Sequence, residues 1–336
     1  MINDTRLQSA SWKIIGHHWA VQRLERAVTQ GHFSHAYLFT GPPGIGKMTL
    51  AQAMASALLC QGEGEKRPCR QCRACQLTAK HAHPDIHVVE SDQIGASLKI
   101  EQIRELQHQL ALTPVEGNRR VAILERFEEA TISAANALLK TLEEPPTYVI
   151  LLVLANDPDQ LLPTIFSRCQ HVPLRPLPLA VVKQALIERW RAPADRAEFL
   201  AHLSGGRLGW AVRMMEDEKA LQRRDQRLDD LNQLLTAPIV ERFQYADKLA
   251  RDPAATQETL ALWLSWWRDV TLQTIHAEAP LTNVDRQDTI QRHAQSFDVR
   301  GANAILQALR ETIERLACNA NPRLALEVLM LDLPRL

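Results

Sequence analysis

The sequence predicts an α/β domain followed by an all-α remainder, and three observations support this fold class. Short apolar runs alternate with amphipathic helical runs through the first half of the chain, which is typical of a doubly wound parallel sheet. A glycine-rich loop follows the first apolar run, and a group of four cysteines comes soon after it. Beyond residue 177 the strand-like runs disappear. We therefore expect an α/β domain at 1–177 with a cysteine module at about 60–80, a small helical lid domain at 178–220 and a helical domain at 221–336.

Length and charge limit the possible functions. A chain of 336 residues exceeds one typical domain and can bury several cores. The 39 basic and 39 acidic residues cancel, so any contact with DNA must be local or shared with partners. The first residues lack a basic start followed by an apolar core, and no run approaches the roughly 18 apolar residues of a membrane span. We expect a soluble, cytoplasmic protein with no membrane association.

The stretch His35–Leu50 predicts a strand, a phosphate-binding loop and a helix. The apolar run Ala36–Thr40 enters a G-x-x-x-x-G-K loop, in which glycines let backbone N–H groups approach phosphates and the lysine reaches the terminal ones. Met48 occupies the position where this motif needs Ser or Thr to hold magnesium, and a thioether is a poor ligand for a hard cation. Thr49 does not simply replace it, since one helical residue rotates the side chain by roughly 100°.

We interpret this loop as a nucleotide site that holds ATP or ADP without hydrolysis, and a loop kept for shape alone is the alternative. Residues at the loop and at the end of a later strand form the candidate nucleotide-binding set: Gly41, Gly44, Gly46, Lys47, Thr49 and Asn156.

Four cysteines predict a structural zinc site. Cys60, Cys69, Cys72 and Cys75 are separated by eight, two and two residues, a spacing that brings four thiolates together around a tetrahedral ion. A catalytic zinc would keep an open position and usually a His or carboxylate ligand, so a closed structural role is favoured. The alternative is a nucleic-acid-binding module. Its charge pattern comprises Lys66, Arg67, Arg70, Arg73 and Lys80 against Glu63 and Glu65.

The end of the strand at Val121–Leu124 lacks the residues of an active ATPase. A P-loop ATPase carries an Asp for magnesium and a catalytic Glu at this point, whereas this chain has Glu125 and Arg126. A guanidinium does not act as a base in proteins. Glu128 or Glu129 could replace the missing group, but both follow the strand end in the next turn, and we expect neither to serve.

Asn156 follows a fully apolar strand predicted at Tyr148–Leu154. A polar side chain at the carboxyl end of a parallel strand is well placed to sense phosphate. An Asn-Asp-Pro turn would explain the same residues.

The helical remainder contains two notable side-chain groups. Three tryptophans at i, i+3 and i+4 share one helix face, and we predict core or subunit packing because no basic residues are interleaved with them: Trp263, Trp266 and Trp267. Three arginines predict a solvated helix face: Arg223, Arg224 and Arg227.

Several motifs together resemble one family. They are HAYLFTGPPGIGK, the four cysteines, NALLKTLEEPP at Asn136–Pro146, SRC at Ser167–Cys169 and the closing NPRLALEVLMLDL. The chain resembles the clamp-loader subunits of the AAA+ class in bacterial DNA polymerase III. The resemblance implies a RecA-like AAA+ P-loop domain with an inserted Cys₄ zinc module, a small helical lid domain, and a C-terminal helical collar domain for oligomerisation.

In that family the SRC motif supplies an arginine finger to a neighbouring subunit's ATP site, so the resemblance assigns Arg168 a catalytic role in trans. A structural salt bridge near the strand is the alternative. Active members also place an arginine in the last lid helix, where this chain has Gly209. Together with Met48 and Arg126, this departure favours a subunit that has lost its own ATPase activity.

The resemblance therefore implies a non-motor subunit of the DNA polymerase III clamp loader, which acts during DNA replication. The implied partners are the other loader subunits, of the gamma/tau and delta types, in a hetero-pentamer, with the sliding clamp and primed DNA reached through the complex. An active ATPase subunit of the gamma/tau type is the alternative function.

Overall fold

The computed structural model describes residues 12–62, 67–318 and 320–335. Three charged residues of the cysteine module, Glu63, Glu65 and Lys66, lie outside the described residues, as does the N-terminal segment on which the localisation expectation depends.

The described chain divides into two compact units. The first holds the residues up to Asp92 with Ala96–Trp190 and Gly206–Trp210, and the second holds Gln93–Gly95, Arg191–Gly205 and the residues from Ala211 onward. The division into three domains at 177 and 220 stays a prediction.

A parallel five-stranded sheet forms the centre of the first unit. Its strands are β1 Ala36–Thr40, β2 Ile86–Val89, β3 Arg120–Leu124, β4 Val149–Ala155 and β5 Gln170–Pro173. They lie in the order β2-β3-β4-β1-β5. Every residue of β1, β3 and β4 is buried, as expected for strands covered on both faces. The strands predicted from apolar runs are confirmed.

The described helices up to Trp190 are α1 His18–Gln30, α2 Lys47–Leu59, α3 Arg73–Ala79, α4 Ile100–Ala111, α5 Ile132–Glu143, α6 Pro163–Phe166 and α7 Leu179–Trp190. Four of them, α1, α2, α4 and α5, cover the two faces of the sheet. One apolar core lies between the sheet and α1 with α2, and a second lies between the sheet and α4 with α5. The helix α5 is capped by Thr131, whose hydroxyl accepts from the Ala134 N–H, and ends before Pro145-Pro146. This is the predicted doubly wound arrangement.

The order of the strands brings the predicted site residues together at the end of the sheet where the carboxyl ends of the strands lie. The strand β1 lies between β4 and β5, so the chain leaves β1 for one side of the sheet and later reaches β5 on the other. Ligands of open α/β sheets bind at such a reversal, outside the carboxyl ends of the strands. The loop after β1, Glu125 after β3 and Asn156 after β4 all lie at these ends.

The remaining helices are α8 Ala194–Ser204, α9 Leu208–Glu216, α10 Glu218–Thr236, α11 Ile239–Leu249, α12 Pro253–Thr274, α13 Gln287–Ser296, α14 Val299–Ala317 and α15 Pro322–Asp332. The three tryptophans of α12 are fully buried in an apolar core, which confirms them as packing residues. Across the part of the chain that the structure describes, every helix is too short or too polar to span a membrane.

The prediction of a solvated face on α10 is wrong for Arg224. Its side chain is only 6% exposed and donates to both Asp285 oxygens and to Asn283 Oδ1 at 2.7–3.0 Å. A buried guanidinium requires such partners, and residues about 60 positions away supply them.

Candidate functional site

The loop between β1 and α2 has the backbone of a phosphate-binding loop. Gly41, Gly44 and Gly46 have φ of 141°, 78° and 112°, in the region that favours glycine. A Cβ on Gly41 would lie 2.5 Å from the Leu174 carbonyl oxygen, so the loop also needs the missing side chain. No side chain caps the first turn of α2, which leaves a helix N-terminus suited to an anion. The residues fit a bound phosphate group.

Lys47 is directed into its own loop. Its ammonium donates to the Gly41 carbonyl and, at 2.8 Å, to Asn156 Oδ1. Burial lowers the pKa of Lys47 to about 8, although the nearby carboxylates of Glu128 and Glu125 act in the opposite direction. Asn156 also binds the loop through its carbonyl, which accepts from the Gly41 N–H at 3.2 Å. Asn156 therefore faces the loop, and the lysine is satisfied by oxygens of this chain.

The magnesium position of the loop carries no hydroxyl. Met48 is partly buried and packs against the apolar core under α1 and α2. Thr49 is exposed at the surface of the helix. The side chain that would hold magnesium is thus replaced by one that contributes to packing.

Gly209, at the position implied for the lid arginine, touches the loop through its backbone. Its N–H donates to the Gly44 carbonyl at 2.8 Å, and a Cβ on Gly209 would lie 2.9 Å from the same oxygen. A Cβ on Gly44 would in turn lie 2.8 Å from the Trp210 nitrogen. Side chains are therefore excluded from both members of this contact.

Arg126 is held in a network of acidic groups after β3. Its guanidinium bonds Glu129 at 3.0 Å, Glu90 at 2.9 Å and the Ser91 carbonyl at 3.1 Å. Its backbone has φ of 50°, which turns the chain directly into the helical turn Phe127–Glu129. These contacts give Arg126 a structural role where an active ATPase has its catalytic Glu.

Glu128, which we did not expect to serve at the site, lies close to Lys47. The turn after Arg126 brings its carboxylate near Lys47, where each charge favours the ionised form of the other. Burial raises the pKa of Glu128, and its Oε2 atom is buried with no hydrogen-bond partner among the described residues. The acidic pair Glu128–Glu129 soon after β3 was the available signal in the sequence. The chain brings Glu128 back toward the phosphate-binding loop only because Arg126 adopts a left-handed backbone conformation.

The four predicted cysteines converge. Their sulfur atoms all lie within 4.8 Å of one another, and the Cys69 and Cys75 sulfurs are 4.0 Å apart. Zn–S bonds of about 2.3 Å in a tetrahedron place sulfurs about 3.8 Å apart, so this group fits a zinc ion closely. Cys60 and Cys75 are buried, and all four are free thiols.

Backbone N–H groups donate hydrogen bonds to the cysteine sulfurs, which favours the thiolate form that binds a cation. The Cys69 N–H donates to Cys60 Sγ at 3.3 Å, and the Cys72 N–H donates to Cys69 Sγ at 3.3 Å. Such donors lower the pKa of Cys69 to about 6, whereas burial raises the pKa of Cys75 to about 12. A Cβ on Gly62 would lie 2.7 Å from Cys69 Sγ, so a glycine is needed for the chain to pass this close.

Arg168 lies at the surface, in the turn between α6 and the edge strand β5. Its side chain is 35% exposed and pairs with Glu143 Oε1 at 2.7 Å, at the end of α5. A second bond at 3.0 Å goes to the Thr164 carbonyl. The neighbouring Cys169 packs into the core, which fixes the turn and leaves the arginine outside.

Comparisons with known proteins agree with one another. The family model for DNA polymerase III, delta subunit, matches residues 16–178, and the model for its C-terminal part matches residues 218–334. DNA polymerase III subunit delta' of Pseudomonas aeruginosa is 34% identical over 89% of this chain and 91% of that protein. The delta' subunit of Bacillus subtilis is 32% identical over 92% and 94%.

The chain belongs to the DNA polymerase III delta' family. A more distant relative, subunit gamma/tau of Mycobacterium bovis, is 35% identical over 52% of this chain but only 30% of that protein. The delta' relatives thus match almost the whole chain, and the gamma/tau relative matches about half of it. The resemblance found in the motifs is confirmed at the level of the DNA polymerase III delta' family, and so is an α/β domain with a parallel sheet followed by a helical C-terminal part.

Proposed function

We propose that this delta' family member is a non-motor subunit of the DNA polymerase III clamp loader that supplies Arg168 to the ATP site of a neighbouring subunit. The observation that carries the proposal is the position of Arg168, exposed beside an edge strand and held by a weak tether. A guanidinium at such a site would stabilise charge that develops on the phosphoryl group during transfer. The neighbour would be of the gamma/tau type, with the delta subunit completing a hetero-pentamer.

The ion pair between Arg168 and Glu143 is weak enough for Arg168 to leave Glu143 and bind a group on another subunit. Both partners of the Arg168–Glu143 pair are at least one-third exposed, and ion pairs of this kind contribute about 0–1 kcal/mol. This pair is the salt bridge named as the alternative role of Arg168. It orients the guanidinium at the surface, and little free energy is needed to break it.

The chain's own loop supports a passive role. Met48 lacks the magnesium hydroxyl, Arg126 is held by carboxylates, and Gly209 has no side chain. Nucleotide held by the candidate set at this loop would remain unhydrolysed. The active ATPase subunits would drive the movements of the loader that place the sliding clamp on primed DNA. This chain would hydrolyse no ATP during that process.

The four-cysteine group would hold a structural Zn²⁺, with four thiolates and no open position. The ion would fix the loop between α2 and α3, which is too short to build a core of its own. One zinc per purified chain is the expected metal content.

The proposal is tested in a reconstituted loader that carries Arg168→Ala. We expect DNA-stimulated ATPase at the affected site to fall about tenfold or more, since arginine fingers contribute ~10³–10⁵ in kcat. Arg175→Ala is the matched control, because Arg175 is exposed a few residues later in the chain. Unchanged turnover in the folded Arg168 variant, or an equal loss in the control, would reject the finger.

One observation favours the alternative function, an active ATPase. Glu128 is a buried carboxylate beside Lys47, and its raised pKa is a property of catalytic bases. If it serves as one, the isolated chain hydrolyses ATP and Glu128→Gln abolishes that turnover. We expect no turnover by the isolated chain.

A further inference from the structure

One face of α1 carries a row of side chains that the proposed function does not use. Trp19, Arg23, Arg26 and Gln30 follow the spacing i, i+4, i+7 and i+11. At about 100° per residue they lie within roughly 60° of one another around the helix axis. All four are exposed, and Trp19 is 46% exposed, although an indole of this size is normally well covered. We call this row the α1 face.

The α1 face forms one side of a concave surface. A cavity of about 420 Å³ lies between this helix, His32 and Gln170 of the edge strand β5. Ala27 and Leu24 line it as well, so aliphatic surface lies beside the polar groups. No carboxylate lines this cavity within the described parts of the chain. The surface therefore combines an exposed aromatic ring, two cations and amide groups around an open space.

The arginines of this face differ from those of α10. On α10, Arg223 pairs with Asp217 at 2.9 Å and Arg227 pairs with Glu258 at 2.7 Å. Within the residues that the structure describes, neither Arg23 nor Arg26 has a hydrogen bond or an ion pair. Two unpaired guanidiniums a helical turn apart are available to an anion from outside the chain.

The combination fits a single-stranded nucleic acid. Arginines at this spacing can contact successive phosphates, and an exposed indole offers a stacking face to an unpaired base. A base inside a duplex is already stacked, so a duplex would leave Trp19 unused. The tryptophans of α12 were excluded as a stacking platform because no basic residues accompany them, whereas here the basic residues are interleaved.

We infer that the α1 face binds single-stranded DNA, with Trp19 stacking on a base and Arg23 and Arg26 contacting the phosphates that flank it. The inference deepens the proposed function, because a subunit of a replication complex works beside unpaired template. It nevertheless depends only on residues that line the cavity beside α1, and Arg168 takes no part in it.

The test is a fluorescence anisotropy titration of labelled (dT)₂₀ with the full chain at several salt concentrations. We expect measurable binding at 50 mM salt, and Arg23→Ala with Arg26→Ala to weaken it about tenfold or more. Each phosphate contact on a single strand contributes about −0.7 to the slope of log K against log salt, so the double variant should lose about 1.4 from that slope. Trp19→Ala should weaken binding about fivefold or more, and Trp19→Phe should restore most of the affinity.

The matched control removes equal charge elsewhere. Arg300 and Arg310 are exposed on α14, so Arg300→Ala with Arg310→Ala should change the affinity less than twofold. Unfolding temperatures of all variants show whether each remains folded.

Several outcomes would overturn the inference: no binding by the unaltered chain, equal losses in the control, or equal affinity for a 20-base-pair duplex. Equal binding of a 20-residue glutamate-rich peptide with the same dependence on Trp19 would show an acidic-peptide site instead. Because the titration uses the chain alone, its result is independent of ring assembly. Failure of the finger would appear only in the ATPase of the loader with Arg168→Ala.

Discussion

The P-loop and the SRC turn of the same sheet each carry a positively charged side chain, but the two side chains differ in burial and in the number of partners. At the P-loop, Lys47 is partly buried and bonded to oxygens of its own chain, and its pKa falls to about 8. At the SRC turn, Arg168 is one-third exposed and has one surface ion pair. A cation that is to act on another subunit must be exposed and loosely held. The difference agrees with the proposal that Arg168 acts on another subunit, whereas Lys47 contributes to the fold of its own loop.

The comparison is sharpened most by Gly44→Ala, for which we expect the largest effect on stability. Gly44 has a positive φ, and its new Cβ would lie 2.8 Å from the Trp210 backbone nitrogen, so the loop or the start of α9 must shift. We expect a loss of about 2 kcal/mol or more in the free energy of unfolding, measured by urea denaturation.

Gly46→Ala is the control for Gly44→Ala. It also has a positive φ, of 112°, but a Cβ there meets no atom within 4 Å. Its loss should be confined to backbone strain of about 1–2 kcal/mol. If both variants lose stability equally, the contact between Gly44 and Trp210 contributes nothing to the stability of the fold.

A smaller effect is expected from pH at the P-loop. The Nε2–H of His17 donates to the Ile45 carbonyl inside the loop at 3.1 Å, and burial lowers the pKa of His17 below its usual 6.5. A histidine that folding holds neutral contributes stability above about pH 6.5, which is lost as the pH falls through its folded value.

We therefore expect the unaltered chain to lose more stability between pH 7.5 and pH 5.5 than His17→Gln does. The glutamine keeps an N–H donor and cannot be charged. Urea unfolding midpoints at the two pH values measure the difference. Equal acid losses in the two proteins would show that His17 is not the titrating group.

The smallest effect is expected from Glu143→Gln at the SRC turn. The amide keeps the shape of the side chain but removes the charge that orients Arg168, so stability should change by less than about 1 kcal/mol. Loader ATPase should fall less than in Arg168→Ala, with a change in kcat rather than in the KM for ATP. A loss as large as that of Arg168→Ala would mean that the tether is essential, which contradicts a loosely held guanidinium.

Much of the candidate site could be predicted because its signals are local. Gly41, Gly44 and Gly46 follow from a motif whose backbone needs glycine, and the cysteine spacing places four sulfurs in one loop. The apolar runs gave the strands for the same reason, since alternation and helical spacing are properties of neighbouring residues.

Other features could not be predicted because they depend on residues far apart in the chain. Nothing in the local sequence distinguishes Arg224 from a surface arginine. Its burial depends on the ion pair with Asp285, which lies far away in the chain. Glu128 follows the end of β3 by four residues and comes close to Lys47 only because the left-handed backbone of Arg126 turns the chain back.

The sequence by itself determined the class of fold, the phosphate-binding loop and the cysteine group. Each depends on backbone requirements or spacings within a few residues. Only the tertiary structure decided how each charge is used. The order of the strands brings Asn156 to Lys47, α5 ends beside Arg168, and β5 forms a cavity with α1. Partners of a charged group are set by which elements lie side by side, and that arrangement depends on the packing of the whole chain.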